Sequence, residues 1–475
     1  MLKILLLTML VGLNATLLIA SGHAEDPTGS ENPLEVCEHS SKIYYWSSDL
    51  KFECNTNYIH IFSKSGVSRP QVNHSQVRIG TFNLFHLGDG MAPMKRLSLV
   101  AKIIDQWDVV AVQELMPLPA RWAEINREVF AAVSDPSFDP NTAPTNWRVF
   151  EPGYLQLLNE LHKIDPSWSL IVQSNPESPR TEMSGFFYRS SRARVKTWDY
   201  CKKVDRLPNI ACSLAIPVRQ RMLMSRNAFA AYFQSGDFDF IALTTHVRFR
   251  PPQSKTELAL QIEEVCANYE SDKPCKISKD KMSRFYEVKA ISDQIPKLLK
   301  TDRDVLFMGD YNLEITRKND AFWNAALKAA PGFTVYQEGK TSISIPHQDL
   351  ASNYDHFILN PAVSKNCDVE GISVYDFTGR GNGPSDPIIR DRDGMQSEGD
   401  WLAFIRSERE RVSTLVRAED RQGRKVLVPI NRLDQDQLIG FCETSMERMR
   451  ASFFGAYMEL ISDHLPVAMV CDAQN

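Results

Sequence analysis

Beginning at Val77 the chain settles into a regular pattern. Val77-Arg78-Ile79-Gly80-Thr81-Phe82-Asn83 alternates with the period of two that a strand requires. Leu97, Val100, Ala101 and Ile104 then recur at helical spacing, and Val109-Val110-Ala111-Val112 is a short apolar run of the kind that fills a buried strand. Strand, helix, strand is the opening of a layered domain. Further along, Gly185-Phe186-Phe187-Tyr188 predicts a strand. Phe229–Phe233 and Phe238–Thr245 predict a hairpin turning at Ser235-Gly236-Asp237. Helical stretches follow near 255–270 and 281–299, then short strands at Val305–Met308, Phe333–Tyr336, Phe357–Leu359 and Pro466–Val470. Hairpins interleaved with helices predict sheets that are not purely parallel.

Two segments stand outside this rhythm. Residues 25–76 are polar, with an aromatic patch at Ile43-Tyr44-Tyr45-Trp46, and read as a small N-terminal extension. Residues 378–455 begin as a Gly/Pro/Asp-rich loop and continue as a highly charged helix around Trp401–Arg417, an insertion near the end of the main domain at 77–475. No internal repeat is evident.

Composition narrows the class. The 475 residues are 43% hydrophobic and 24% charged, which excludes a coiled coil, wholesale disorder and a polytopic membrane protein. Lys plus Arg is 54 against 59 acids, a formal net charge of −5, so bulk positive charge cannot hold nucleic acid. If the chain handles phosphates, metal ions or a local cationic site must do so.

Residues 1–24 carry one charge, Lys3, then an apolar run and a small-x-small exit at Gly22-His23-Ala24. This is the pattern of a secretory signal peptide, and no later stretch reaches the ~20 apolar residues of a membrane span. The expected location is secreted or periplasmic. The nine cysteines fit that address. No Cys-x-x-Cys occurs, and three close pairs (Cys37 with Cys54, Cys201 with Cys212, Cys266 with Cys275) read as local disulfides. The odd count leaves at least one thiol free or paired between molecules.

The familiar catalytic signatures, His-Glu-x-x-His, Gly-x-Ser-x-Gly and the phosphate-binding Gly-x-x-x-x-Gly-Lys-Ser/Thr, are absent. Instead, polar residues recur at the tips of apolar strands: Asn83, Gln113-Glu114, His246, Asp310 with Asn312, Asp355, and Asp463-His464. Singly, each is an ordinary turn residue. Together, four carboxylates in one cleft would repel one another unless a divalent cation or paired histidines offset them.

In this order the motifs resemble the endonuclease/exonuclease/phosphatase superfamily, and within it most closely the pancreatic deoxyribonuclease I branch. The matching residues are Thr81-Phe82-Asn83, Asp108–Glu114, Glu182 with Tyr188-Arg189, Arg226, Thr245-His246, Met308-Gly309-Asp310-Tyr311-Asn312, Tyr354-Asp355 and Ser462–Val467. The resemblance implies an α+β, four-layer sandwich of two mixed, mostly antiparallel sheets flanked by helices. It implies a Mg²⁺ or Mn²⁺ site at Glu114, Asn83 and Asp463, with Ca²⁺ as an optional structural ion. Asp310 and Asn312 would orient nucleophile and phosphate, and Asp355 would tune His464 as base. Glu182 would partner His246 as acid, and Arg226 would contact phosphate. Some positions depart from that branch. Phe85 and Met116 stand where arginines contact duplex DNA, Arg180 where a tyrosine enters the minor groove, and Asn227 where an acid follows the arginine. His86, His347 and His356 read as surface or packing residues.

The leading expectation is a secreted endonuclease acting on DNA, with no stable protein partner and no membrane span. A second is a sphingomyelinase-like phospholipase C or phosphoinositide phosphatase. A third is a binding or toxin subunit that has kept the fold and lost catalysis, against which the complete set of acids and both histidines argues.

Overall fold

The computed structural model describes residues 50–63, 75–87, 95–117, 152–174, 182–202, 207–336 and 339–378 (except 348 and 362–364), short pieces between 397 and 448, and 452–474. The signal-peptide segment, Cys37, Cys442 and Arg180 lie outside the described residues.

Two sheets form the body of the chain. The first has eight strands in the order β1 (Leu50–Cys54), β2 (Tyr58–Ser63), β5 (Trp168–Gln173), β6 (Met183–Arg189), β4 (Val109–Leu115), β3 (Gln76–Leu87), β19 (Val467–Asp472) and β16 (Ser373–Val374). The second has seven: β12 (Thr334–Tyr336), β15 (Asp355–Leu359), β11 (Val305–Asp310), β10 (Phe238–His246), β9 (Phe229–Ser235) and β7 (Arg194–Val195), with β8 (Ala211–Ser213) also on β9. Only β3 with β4 and β10 with β11 run parallel; the other pairs in these sheets are antiparallel. Smaller pairs are β13 (Ile343–Ser344) with β14 (Asp349–Leu350), and β17 (Leu415–Glu419) with β18 (Lys425–Pro429).

The continuous apolar runs follow from burial on both faces. Along β4, Val109 and Ala111 join the core between the sheets, while Val110 and Val112 pack outward with helices α1 (Leu97–Ile104) and α2 (Gly153–His162). Along β11, Leu306 and Met308 face inward, while Val305 and Phe307 pack on the outer side with α5 (Lys279–Ser292) and α7 (Asp320–Ala326). Between the sheets, Phe186 of the first meets Phe233 of the second edge-on, ring centroids 5.5 Å apart. Helix, sheet, sheet, helix is the four-layer sandwich that the resemblance implies.

Three details differ from the sequence reading. Residues 50–63, placed in the extension, form a hairpin that extends the first sheet, and His60 reaches Tyr188 Oη across it at 2.8 Å. The charged helix expected around Trp401–Arg417 does not hold at its C-terminal end: Leu415–Glu419 is a strand paired antiparallel with Lys425–Pro429. The helical stretch at 281–299 ends at Ser292, with Asp293 and Gln294 as a break before the short α6 (Ile295–Leu298), where Pro296 cannot donate to a continuing helix.

The Cys201–Cys212 and Cys266–Cys275 disulfides form as expected, and Cys54 is disulfide-bonded. A further bridge, Cys367–Cys471, ties the connection before β16 to the last strand across a separation of 104 residues. Among the described residues no helix is long and apolar enough to cross a membrane.

Candidate active site

The site lies where strands of both sheets end. In the second sheet the register sets His246, Asp310 and Asp355 side by side on adjacent strands, parallel for the first pair and antiparallel for the second. Gly309 makes this possible. Its φ is +148°, and a Cβ there would stand 2.1 Å from the Thr245 carbonyl oxygen. Asn312 follows in a left-handed conformation, φ +51°, its N–H on Asp310 Oδ1 at 2.8 Å and its side-chain amide on the Val247 carbonyl at 2.9 Å.

The first sheet supplies the facing half. β3 and β4 slip register between Asn83 and Leu87, and β4 and β6 between Val112 and Leu115. At these irregularities Phe85, His86 and Glu114 take positive φ values of 44°, 51° and 59°. Non-glycine residues held there cost on the order of 1–3 kcal/mol each and persist where surrounding contacts enforce them. Here the contacts are plain: His86 N–H donates to Glu114 Oε2 at 2.9 Å, and Phe85 N–H to Asn83 Oδ1 at 2.9 Å. Asn83 Nδ2 then donates to both Glu114 Oε1 and Asp310 Oδ2, each at 3.0 Å, joining the two sheets. Beneath it, Gln113 bridges Thr81 and Thr244 in the same way.

Helix α8 (Phe453–Leu460), capped by Ser452, delivers the third element, Ser462-Asp463-His464. Ser462 Oγ donates to the Asn83 carbonyl at 2.6 Å and receives the His464 N–H at 3.1 Å, which fixes the turn.

Two carboxylate–imidazole pairs result. His464 Nδ1 lies 2.7 Å from Asp355 Oδ2, and His246 Nδ1 lies 3.1 Å from Glu182 Oε2. The opposite ring atoms converge: His246 Nε2 and His464 Nε2 are 3.5 and 3.6 Å from the same oxygen, Asp310 Oδ2. Burial opposes a charged His464, but Asp355, Asp310 and Asp463 outweigh it and hold its pKa well above the ordinary value. His246 is raised as well: burial and Arg226 oppose its charge, and Glu182 and Asp310 prevail. Glu182 is held far down, burial being overcome by Arg226 and His246. Arg226 places Nε on Glu182 and Nη1 on the His246 carbonyl, so it grips this pair and keeps three N–H groups for other acceptors.

All ten residues singled out in the sequence therefore meet here. Three more lie in the site that the sequence reading gave no role there, His86 among them as an expected surface or packing residue. His86 is no bystander: its Nδ1 is 3.3 Å from Glu114 Oε2. Arg284 ties the Asn312 carbonyl (2.6 Å) to the Phe249 carbonyl (2.8 Å), with its guanidinium against the Phe249 ring. Lys95 donates to the Ile461 carbonyl at 2.7 Å; burial lowers its pKa to about 8, against the pull of Asp463, Glu459 and Glu114. No sequence signal marks Lys95 or Arg284, and only the motif's proximity could have marked His86. His356 is the packing residue expected, buried with Nε2 at 2.6 Å from the Leu313 carbonyl, and His347 is exposed. Asn227 caps the Leu214 carbonyl instead of carrying a charge.

The donor set suits a hard divalent cation. Asp463 Oδ1 is enclosed and has no hydrogen-bond partner, and burial first, then the charges of Glu114 and Asp310, raises its pKa. An unpartnered carboxylate oxygen among other carboxylates is what a cation would satisfy. Asn83 differs from its expected part in one respect: its oxygen is taken by Phe85 N–H and its N–H groups face the acids, so it holds Glu114 and Asp310 in place as a donor.

No family model and no curated protein matches the chain. Solved structures do. A humanized D. rerio TDP2 is 13% identical, with a TM-score of 0.34 over 84% of this chain and 99% of that one. An endonuclease/exonuclease/phosphatase from Bacteroides vulgatus is 11% identical, with a TM-score of 0.36 over 84% and 99%. The catalytic domain of human Nocturnin is 11% identical, with a TM-score of 0.31 over 64% and 90%.

Proposed function

We propose that this chain is an exported, divalent-metal-dependent phosphodiesterase that cleaves DNA internally. The observation that carries the reading is the convergence of two histidines on Asp310 Oδ2, each beside its own carboxylate. Hydrolysis of a phosphodiester needs a base for water and an acid for the leaving oxygen, on opposite sides of one phosphorus. Two imidazoles, each beside its own carboxylate and both facing Asp310 Oδ2, would meet that need.

Asp355 accepts the Nδ1 proton of His464, which leaves Nε2 to exchange a proton with the nucleophile beside Asp310. Glu182 lies 3.1 Å from His246 Nδ1 as an ion-pair partner that stabilises its protonated form, and His246 would serve the leaving oxygen. Asn312, held by Val247 and Arg284 beside Asp310, would contact the phosphate, and Arg226, with N–H groups beyond those on Glu182 and His246, would add a cationic contact. Glu114, held by the Asn83 amide, and Asp463 would hold the cation, which when bound neutralises phosphoryl charge.

Export is supported by the disulfides among the described residues and by the apolar leader at 1–24. The full chain with Mg²⁺ or Mn²⁺ should be offered duplex and single-stranded DNA, RNA, sphingomyelin, a phosphoinositide and a phosphomonoester. Cleavage of DNA to internal fragments is expected. Preferred turnover of a lipid or monoester would replace the substrate assignment. Inactivity on the whole panel would leave a binding subunit as the reading.

A further inference from the structure

His86 has no part in the chemistry above, yet the fold bends two consecutive non-glycine residues into the left-handed region to place it. The bend lies in the stretch where β3 loses register with β4. Its result is specific: the His86 backbone N–H and ring Nδ1 both face Glu114 Oε2, at 2.9 and 3.3 Å. Nδ1 is shut off from solvent and makes no hydrogen bond, so its approach to the carboxylate is close but not aligned for one. One His86 ring nitrogen and a carboxylate oxygen from each of Glu114 and Glu182 lie within 4.8 Å of one another. Glu182 is engaged by Arg226 and His246, and the close ring-to-carboxylate approach is that of His86 Nδ1 to Glu114 Oε2.

Two ligand atoms on one cation, each at ~2.0–2.2 Å, stand ~3 Å apart for angles near 90–110°. The Nδ1–Oε2 separation of 3.3 Å fits that spacing. Resting on the metal dependence proposed above, we propose that His86 is a nitrogen ligand to the cation at Glu114, and that it gives this site a preference for transition-metal ions such as Mn²⁺ over Mg²⁺ and Ca²⁺. Carboxylates alone suit the hard ions. An imidazole nitrogen favours the borderline ones, which bind nitrogen donors more strongly.

The test is binding, not turnover. Mn²⁺ and Mg²⁺ affinities of the full chain are measured by calorimetry, and bound Mn²⁺ is examined by pulsed electron paramagnetic resonance for nitrogen coupling. The variants are His86→Ala and His86→Asn. Asparagine tolerates a positive φ, so that variant keeps the bend, and thermal unfolding in chelator verifies both folds. The wild type should show a coupled nitrogen. Both variants should lose that coupling and bind Mn²⁺ roughly ten- to a hundredfold more weakly, with a much smaller change for Mg²⁺. A folded variant that keeps the wild-type Mn²⁺-to-Mg²⁺ ratio overturns the proposal. So does tighter Mn²⁺ binding on removing His86, which would make the imidazole a competing cation. A wild type that binds neither ion rejects the metal dependence itself, a separate failure.

Discussion

Asp463→Asn should stabilise the metal-free protein at pH 8 and leave it unchanged near pH 4. Burial comes first among the causes that raise the Asp463 carboxyl from 3.8 to about 6; Glu114 and Asp310 add to it, against His464 and Lys95. The folded state therefore holds its proton more tightly than the unfolded chain. Below pH 3.8 both states are protonated and Asp463 is neutral in effect. As pH rises through 6 the folded protein must accept an unfavourable charge, and stability is lost. A shift of about two units at about 1.4 kcal/mol each gives about 3 kcal/mol in full. The residue is half-buried although Oδ1 is enclosed, so ~1–3 kcal/mol is the working range. Thermal unfolding in excess chelator at pH 4, 6 and 8 reads this directly: the variant's advantage should appear between pH 4 and 6 and then level off. Saturating Mg²⁺ or Mn²⁺ should reverse the order. A ligand at a hundredfold its Kd adds about 2.7 kcal/mol to the protein that binds it. A variant less stable than the wild type in chelator at pH 8 would refute the reasoning.

Other outcomes follow from the same geometry. His246→Ala and His464→Ala should each lower kcat by roughly 10²–10⁴-fold with a smaller effect on KM, and Asp355→Asn should resemble the His464 change; a His246 variant that is destabilised yet fully active per folded molecule removes it from the mechanism. His356, whose pKa burial lowers to about 4, is favoured neutral in the fold, so it contributes stability above pH 6.5 that is lost as pH falls toward 4. Its replacement by Leu should flatten that part of the stability profile without changing kcat, and a large kcat loss would contradict the assignment. Replacing Cys367 and Cys471 by Ser opens the longest described loop and should cost up to ~4–5 kcal/mol, more than opening Cys266–Cys275, as denaturant unfolding can compare.

The parts legible in the sequence share one property: a polar residue that interrupts an apolar strand is visible without coordinates. Asn83, Glu114, His246, Asp310, Asp355 and Asp463-His464 were found that way, and the layered order followed from apolar runs buried on both faces. What remained hidden depends on conformation or distance. His86 enters the site through a backbone bend at Phe85 and His86 that their side chains do not announce. Arg284 acts from the middle of α5 on carbonyls of two loops, and Lys95 on one 366 residues away. The Cys367–Cys471 bridge was obscured because local pairs are read from spacing and this one is made by β19 meeting the segment before β16. The strand at Leu415–Glu419 was read as helix because its charged neighbours favour one, whereas pairing with Lys425–Pro429 decides.

The central claim is that the clustered acids Glu114, Asp310 and Asp463 work through a divalent cation. The most direct measurement is cleavage of a labelled DNA by the full chain during titration with chelator and then with Mg²⁺ or Mn²⁺, run beside Glu114→Gln. Activity should vanish with chelator, return with either ion, and fail to return in the variant at cation concentrations that saturate the wild type. Undiminished cleavage in excess chelator would contradict the account.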